Sequence, residues 1–155
     1  MDIKLLWPGK TKNAAFRDLQ AFYLKRITDL ASCRIVETPE AKGLAERFGA
    51  KIKEIEARGL EKHLDNAYIV CLFDGGREMT SVEFARFLER AAAGSARTVA
   101  FVVGGFLGID PGLMDRADAR ISLSRMTLSH ELCRIVLMEQ IYRSISILKG
   151  RQYAK

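Results

Sequence analysis

Apolar residues along the chain occur in two patterns, short continuous runs and repeats at every third or fourth position. The runs predict buried strands and the repeats predict amphipathic helices. The predicted strands are 2–7, 34–38, 67–73, 98–103 and 119–123, and the predicted helices are 14–30, 41–59, a segment opened by Thr80, and 129–150. This alternation predicts an α/β fold with a mostly parallel sheet flanked by helices.

Two of the predicted strands, 67–73 and 98–103, are apolar throughout. Such runs are typical of central strands that are covered on both faces. Sheets of this kind bind ligands beyond the carboxyl ends of their strands. We therefore expect a functional site in the loops that follow residues 73, 103 and 123.

The last predicted helix is apolar around most of its circumference. One stripe contains Cys133, Val136, Leu137, Gln140, Ile141, Ser144, Ile145 and Leu148, and a second contains Leu132, Ile135, Met138 and Tyr142. A surface helix of a monomer usually has one apolar stripe. Two stripes favour a homodimer, with the sheet on one side of the helix and a second copy on the other. A central core helix in a monomer is the alternative.

Composition suggests one domain, residues 1–155, with an anionic partner. The chain has 25 Lys and Arg against 19 Asp and Glu, a formal net charge of +6. Such a balance favours nucleic acid as the partner, although it also serves solubility. Three widely spaced cysteines without a CxxC pair predict reduced thiols in a cytoplasmic protein. Two separated histidines predict no metal site, and no apolar stretch is long enough to predict a membrane span.

A glycine-rich turn, Gly104-Gly105-Phe106-Leu107-Gly108, follows the apolar run 98–103. Its adjacent glycines do not match the GxGxxG fingerprint, and no GK[ST] follows. This counts against an ordinary nucleotide-binding oxidoreductase. Glycines at these positions permit the backbone to approach a ligand closely.

Together with residues 121–155, this turn resembles the RlmH group of SPOUT methyltransferases. That group has a Gly-Gly-x-x-Gly turn, a Ser-Leu-Ser-x-x-Thr segment before a histidine, and a helix with Glu-Gln-(Leu/Ile)-Tyr-Arg. The matching residues are Gly104, Gly105, Gly108, Ser122, Leu123, Ser124, Thr127, Leu128, His130, Arg134, 139–143 and Tyr153. Two positions depart from the group: Ser129 replaces a usual proline, and Ala154 replaces a usual histidine.

The resemblance implies a SPOUT-type α/β knot, with a deep trefoil knot near the C-terminus, which is a rare exception among folds. It implies a homodimeric, cytoplasmic enzyme that uses S-adenosyl-L-methionine. The implied reaction is methylation at N3 of a pseudouridine in 23S rRNA of the assembled ribosome. Alternatives are a non-catalytic RNA-binding protein of the same fold and a SPOUT methyltransferase that acts on another RNA, such as tRNA.

The resemblance also implies roles for individual residues. The expected cofactor-binding residues are Leu72, Gly104, Gly105, Gly108, Leu123, Ser124, Arg125, Met126, Thr127 and Leu128. The expected catalytic residues are His130, Arg143 and Tyr153, and the expected substrate-binding residues are Arg134, Arg143, Arg151 and Lys155. His130 is a candidate base, because an imidazole titrates near neutral pH; a helix-start residue bonded to backbone is the alternative.

Overall fold

Strands and helices alternate along residues 1–96 and 98–152, which the computed structural model describes. The strands are β1 (Asp2–Pro8), β2 (Ser32–Thr38), β3 (Ala67–Glu78), β4 (Thr98–Val102) and β5 (Ala119–Ser122). The helices are α1 (Ala14–Thr28), α2 (Gly49–Glu61), α3 (Ser81–Ala93), α4 (Pro111–Asp115) and α5 (His130–Leu148). A 3₁₀ turn, Glu46–Phe48, precedes α2.

The strands form one sheet in the order β2-β1-β4-β3-β5, and every neighbouring pair is parallel. The predicted α/β fold with a parallel sheet is therefore confirmed. Strand β4 and the first part of β3, residues 67–73, correspond to the two apolar runs, and both strands occupy interior positions, as expected. The trefoil knot stays a prediction.

Side chains of the strands alternate between two apolar cores, because successive residues of a strand face opposite sides of the sheet. Ile3, Leu5 and Trp7 of β1 belong to the core formed with α1, α3 and α5. Leu6 belongs to the core formed with α2 and α4. Full burial of each large apolar side chain contributes about 1.5–3 kcal/mol.

Helix α2 begins at Gly49, so the predicted helix 41–59 was wrong at its start. The helix does not begin at residue 41, because Gly43 has a φ of +76°, a left-handed conformation that does not belong in a helix. The short helix α4 was not predicted. Asp110 caps it by accepting hydrogen bonds from two backbone N–H groups, and Pro111 provides its first residue.

Strand β3 continues to Glu78, past the predicted end at residue 73. Its glycines permit this extension rather than ending the strand. A Cβ atom on Gly76 would lie 2.6 Å from the backbone carbonyl carbon of Ile121 in β5. Only glycine allows the two backbones to approach this closely, and the pairing register shifts between Leu72 and Arg77.

Helix α5 begins at His130 after its cap residue Ser129, whose hydroxyl accepts a hydrogen bond from Leu132 N at 3.3 Å. It packs against both α1 and α3. These neighbours cover part of both apolar stripes within one protomer, so the homodimer stays a prediction. None of the helices in the described part of the chain combines the length and apolar character needed to cross a membrane.

Candidate functional site

A cleft of about 610 Å³ lies at the carboxyl ends of β3, β4 and β5. This volume is within the range of small-molecule and cofactor sites. Its lining includes nine predicted cofactor residues: Leu72, Gly104, Gly105, Gly108, Leu123, Ser124, Met126, Thr127 and Leu128. The tenth, Arg125, is not in the lining; it is largely exposed, with Nε 4.0 Å from Oε1 of Glu78. The structure thus brings three distant segments together, and their binding roles stay predictions.

The glycine turn forms one wall of the cleft. Gly108 N donates a hydrogen bond to Gly105 O at 3.0 Å, and Gly108 has a φ of +88°. A Cβ on Gly104 would lie 2.6 Å from the carbonyl carbon of Gly108. Since Cβ atoms essentially never approach backbone this closely, the turn accommodates no side chain at Gly104, and backbone faces the cleft there.

The opposite wall is the loop between β5 and α5, which local hydrogen bonds hold. Ser122 Oγ donates to Ser124 O at 2.9 Å, and Met126 N donates to Ser124 Oγ at the same distance. Hydroxyls that bond nearby backbone in this way stabilise turns without regular structure. The loop therefore has a defined path into the cap residue of α5.

His130, the first residue of α5, lines the cleft together with Cys133 one turn later. Burial lowers the pKa of His130 below its usual 6.5, and the positive charge of Arg134 lowers it further. The imidazole is consequently neutral at pH 7 and can accept a proton. Burial raises the pKa of the Cys133 thiol to about 11, so this thiol is protonated and a poor nucleophile.

Arg134 is buried, with 1% of its surface exposed. Its Nη2 donates to Pro8 O at 2.9 Å, its Nη1 donates to Thr11 Oγ1 at 3.0 Å, and its guanidinium lies 5.0 Å from the ring centre of Trp7. This arrangement joins α5 to the end of β1. It is a positioning arrangement, and the predicted contact of Arg134 with substrate stays a prediction.

Arg143 lies thirteen residues after His130 on α5, about 20 Å along the helix axis. Its Nε and Nη2 donate to Oε1 of Glu139 at 3.0 and 2.8 Å. Neither Arg143 nor Arg151 is in the lining of the cleft, so one protomer does not bring them together with His130. The remaining predicted residues, Tyr153 and Lys155, lie outside the described residues, as does Ala154.

Two acidic residues near the site were not predicted. Glu56 of α2 is buried behind the glycine turn, where a Cβ on Gly105 would lie 2.8 Å from its Oε2. Burial raises the pKa of this carboxyl above its usual 4.5, and the charge of Glu40 raises it further. Nothing in the pattern distinguished Glu56 from the other charges of α2. Glu131 accepts hydrogen bonds from the backbone N–H groups of Lys12 and Asn13, both at 2.9 Å.

Comparison with known proteins identifies relatives along the whole chain. A family model described as predicted SPOUT methyltransferase matches residues 1–154. "Ribosomal RNA large subunit methyltransferase H" of Limosilactobacillus reuteri is 38% identical over 159 aligned positions, covering 100% of both chains. The protein of the same name from Listeria monocytogenes is also 38% identical with the same coverage.

A solved structure shares the fold. The chain of a probable methyltransferase from Bordetella pertussis matches with a TM-score of 0.59 at 12% identity, covering 93% of this chain and 96% of that one. At this identity the likeness supports the fold alone.

Proposed function

The chain belongs to the SPOUT methyltransferase family, and within it to the RlmH group; from this premise we propose that it methylates ribosomal RNA of the large subunit. The proposed target is N3 of a pseudouridine in 23S rRNA, reached on the assembled ribosome in the cytoplasm by a single domain, residues 1–155. The full-length relatives named as large-subunit rRNA methyltransferases support the substrate class. The net charge of +6 suits an RNA partner.

The observation that carries the proposal is the cleft itself. Three segments distant in sequence form it, and one of them is a turn that accommodates no side chain at Gly104. The cofactor is S-adenosyl-L-methionine, as in other SPOUT methyltransferases. Its size and mixed character fit a cleft of about 610 Å³ that has apolar walls and exposed backbone. Leu72 and Leu123 would contact its apolar faces, and backbone groups of Gly104 and residues 124–128 would bind its polar edges.

The residues of the cleft suit a direct methyl transfer. When bound, the cofactor supplies an electrophilic methyl group on a sulfonium. In our proposal His130 would accept the proton that the acceptor nitrogen loses as it becomes methylated. The neutral imidazole suits this role, because a base must be unprotonated at the working pH. Cys133, with a pKa of about 11, is left out of the chemistry.

We extend the proposal to a homodimer in which each site is composite. Arg143 lies about 20 Å from His130 along α5, and Arg151 follows the end of that helix. Neither residue lines the cleft of its own protomer. In a two-fold dimer they would contact RNA beside the partner's cleft, together with Tyr153 and Lys155. Guanidinium groups suit phosphates and base edges there.

A mixed dimer tests the composite site. One subunit carries Gly104→Trp, which blocks the cleft, and the other carries Arg143→Ala. A composite arrangement leaves one intact site in each mixed dimer, so a random equal mixture retains about a quarter of the wild-type activity. Complete inactivity of the mixture would mean that each protomer uses its own residues.

Methyl transfer to ribosomes tests the reaction. Ribosomes from a strain that lacks this methylation are incubated with the protein and labelled S-adenosylmethionine, with assembled ribosomes and free subunits assayed separately. We expect label at N3 of a pseudouridine in 23S rRNA, with assembled ribosomes preferred. No transfer while the cofactor still binds would favour another RNA substrate, a non-catalytic RNA-binding role, or a requirement for the histidine that Ala154 replaces.

A further inference from the structure

The mouth of the cleft has an exposed apolar rim. Met126 and Phe106 are 78% and 73% exposed, and the next large apolar side chain among the described residues, Phe22, is 49% exposed. Both rim residues line the cleft, and so does the exposed Phe73. Each comes from a different segment: Phe106 from the glycine turn, Met126 from the loop before α5, and Phe73 from strand β3. Such clustering of exposed apolar groups around one opening marks a binding surface.

The ring of Phe106 is carried on a fixed support. The turn that carries it is closed by a hydrogen bond of 3.0 Å from Gly108 N to Gly105 O. The backbones of Gly104 and Gly108 also lie so close that a Cβ on Gly104 would be 2.6 Å from the carbonyl carbon of Gly108. Its neighbour Leu107 packs against the start of α2, where a Cβ on Gly49 would lie 3.4 Å from the Leu107 Cδ1 atom. Leu107 thus anchors the turn against α2, whereas the side chain of Phe106 is exposed to solvent.

The position of this ring favours a ligand that extends beyond the cleft. The inner walls, Leu72 and Val103, are buried and suit a small molecule inside. A ring that is almost three-quarters exposed gains little from such a ligand. Lys53 lines the cleft, as does the acidic Asp74. Arg125, which precedes Met126 in the chain, is largely exposed, with its Nε 4.0 Å from Oε1 of Glu78. An aromatic platform with cations at its side suits an unpaired base attached to a phosphate backbone.

We propose that Phe106 is the platform on which an unpaired base of the RNA stacks at the mouth of the cleft, with Met126 as a second apolar contact. This inference rests on the proposed function. It makes Phe106 a substrate-positioning residue that the resemblance did not assign.

Two substitutions at Phe106 and one control test the proposal. Phe106→Ala removes the ring, Phe106→Trp keeps an aromatic face, and Phe48→Ala removes a ring that is 46% exposed but not part of the lining. Ribosome affinity is measured by co-sedimentation, S-adenosylmethionine affinity by titration calorimetry, and kcat and KM by methyl transfer. Since loss of a stacked ring typically weakens binding on the order of 10- to 100-fold, we expect Phe106→Ala to weaken ribosome binding and raise KM by that factor.

The other readouts separate stacking from other roles. Phe106→Trp and Phe48→Ala should retain wild-type ribosome affinity, and cofactor affinity should be the same in all variants. If Phe106→Ala weakens S-adenosylmethionine binding by the same factor as ribosome binding, the ring covers the cofactor and the proposal is wrong. Unchanged ribosome affinity would also refute it. Wild-type protein that binds ribosomes without methylating them would overturn the proposed function but leave the affinity comparison readable, whereas no ribosome binding would overturn both.

Discussion

Gly104→Ala is the smallest change that should disable the cleft. The added methyl would lie 2.6 Å from the carbonyl carbon of Gly108 and 2.9 Å from its Cα and carbonyl oxygen. All three neighbours are backbone atoms, so no side chain can rotate away. To restore an ordinary contact of 3.4 Å, the two arms of the turn must separate by about 0.8 Å.

This separation sets the size of the expected effect. It would stretch the 3.0 Å hydrogen bond between Gly108 N and Gly105 O beyond a bonding distance. Forcing an extra methyl into packed structure typically costs 1–3 kcal/mol. If the cofactor requires the closed turn, its binding must supply that free energy, which raises Kd by about 5- to 150-fold.

Titration calorimetry with S-adenosylmethionine measures the effect, and two other glycines provide controls. In Gly108→Ala the added methyl group would have no atom within 4 Å, but the alanine would adopt a φ of +88°, which costs about 1–2 kcal/mol of backbone strain. Gly94→Ala, at the end of α3, has a negative φ and an ordinary 3.6 Å contact, so its Kd should match the wild type. A wild-type Kd for folded Gly104→Ala would refute the assignment of this turn to the cofactor.

Three further predictions concern buried polar groups. Methyl transfer should lose rate as pH falls through a pKa below 6.5, since burial lowers the pKa of His130, and His130→Gln should remove this limb of the pH profile. The pKa of Glu56 is raised in the folded protein, so ionisation of this carboxyl above pH 4.5 opposes folding. In urea denaturation, the free energy of unfolding of Glu56→Gln should therefore increase relative to that of wild type as pH rises from 4 to 7. A difference between the two proteins that does not change with pH would contradict this. Arg134→Lys keeps the positive charge but loses the guanidinium that donates hydrogen bonds to both Pro8 and Thr11, so it should lower the free energy of unfolding by about 1–3 kcal/mol. An unchanged urea midpoint would contradict the assigned contacts.

Sequence pattern predicted the sheet well because its signal is burial. Residues 69–72 of β3 and 99–102 of β4 are buried on both faces of the sheet, and uninterrupted apolar runs are the direct consequence. The order in which the strands lie side by side produces no comparable pattern in the sequence. Whether β4 lies beside β1 depends on how the connecting helices cross the sheet, and residue periodicity carries no such information.

Two errors in the predicted elements have different physical causes. Gly75 and Gly76 suggested the end of a strand, but the close approach of Ile121, a residue distant in sequence, requires a residue without a side chain and prolongs β3. The predicted helix from residue 41 was wrong because Gly43 adopts a left-handed φ of +76°, and the chain is irregular until the 3₁₀ turn. The contact of Gly76 with Ile121 is not visible from the residues near Gly76.

The site was predicted through motif resemblance, and its limits follow from what a motif records. Ten residues, Leu72, Gly104, Gly105, Gly108 and 123–128, were expected to bind the cofactor, and all but Arg125 line one cleft. A motif does not say whether a side chain meets ligand or supports a neighbour. Arg134 was expected at the RNA because a guanidinium suits phosphates and base edges. The structure shows it buried against Trp7, a supporting position that the motif did not indicate, and its contact with substrate stays a prediction.

Support of this kind determines where the cleft wall lies. Segment 8–13, which joins β1 to α1, is held by two side chains from the first turns of α5. Glu131 accepts two of its backbone N–H groups, and Arg134 donates to a carbonyl and a hydroxyl within it. On the same turns, His130 and Cys133 line the cleft. Since helical residues one and four positions apart are rigidly related, anchoring Glu131 and Arg134 also fixes the backbone that carries the imidazole. Residues outside the lining of the cleft therefore set the position of the proposed base.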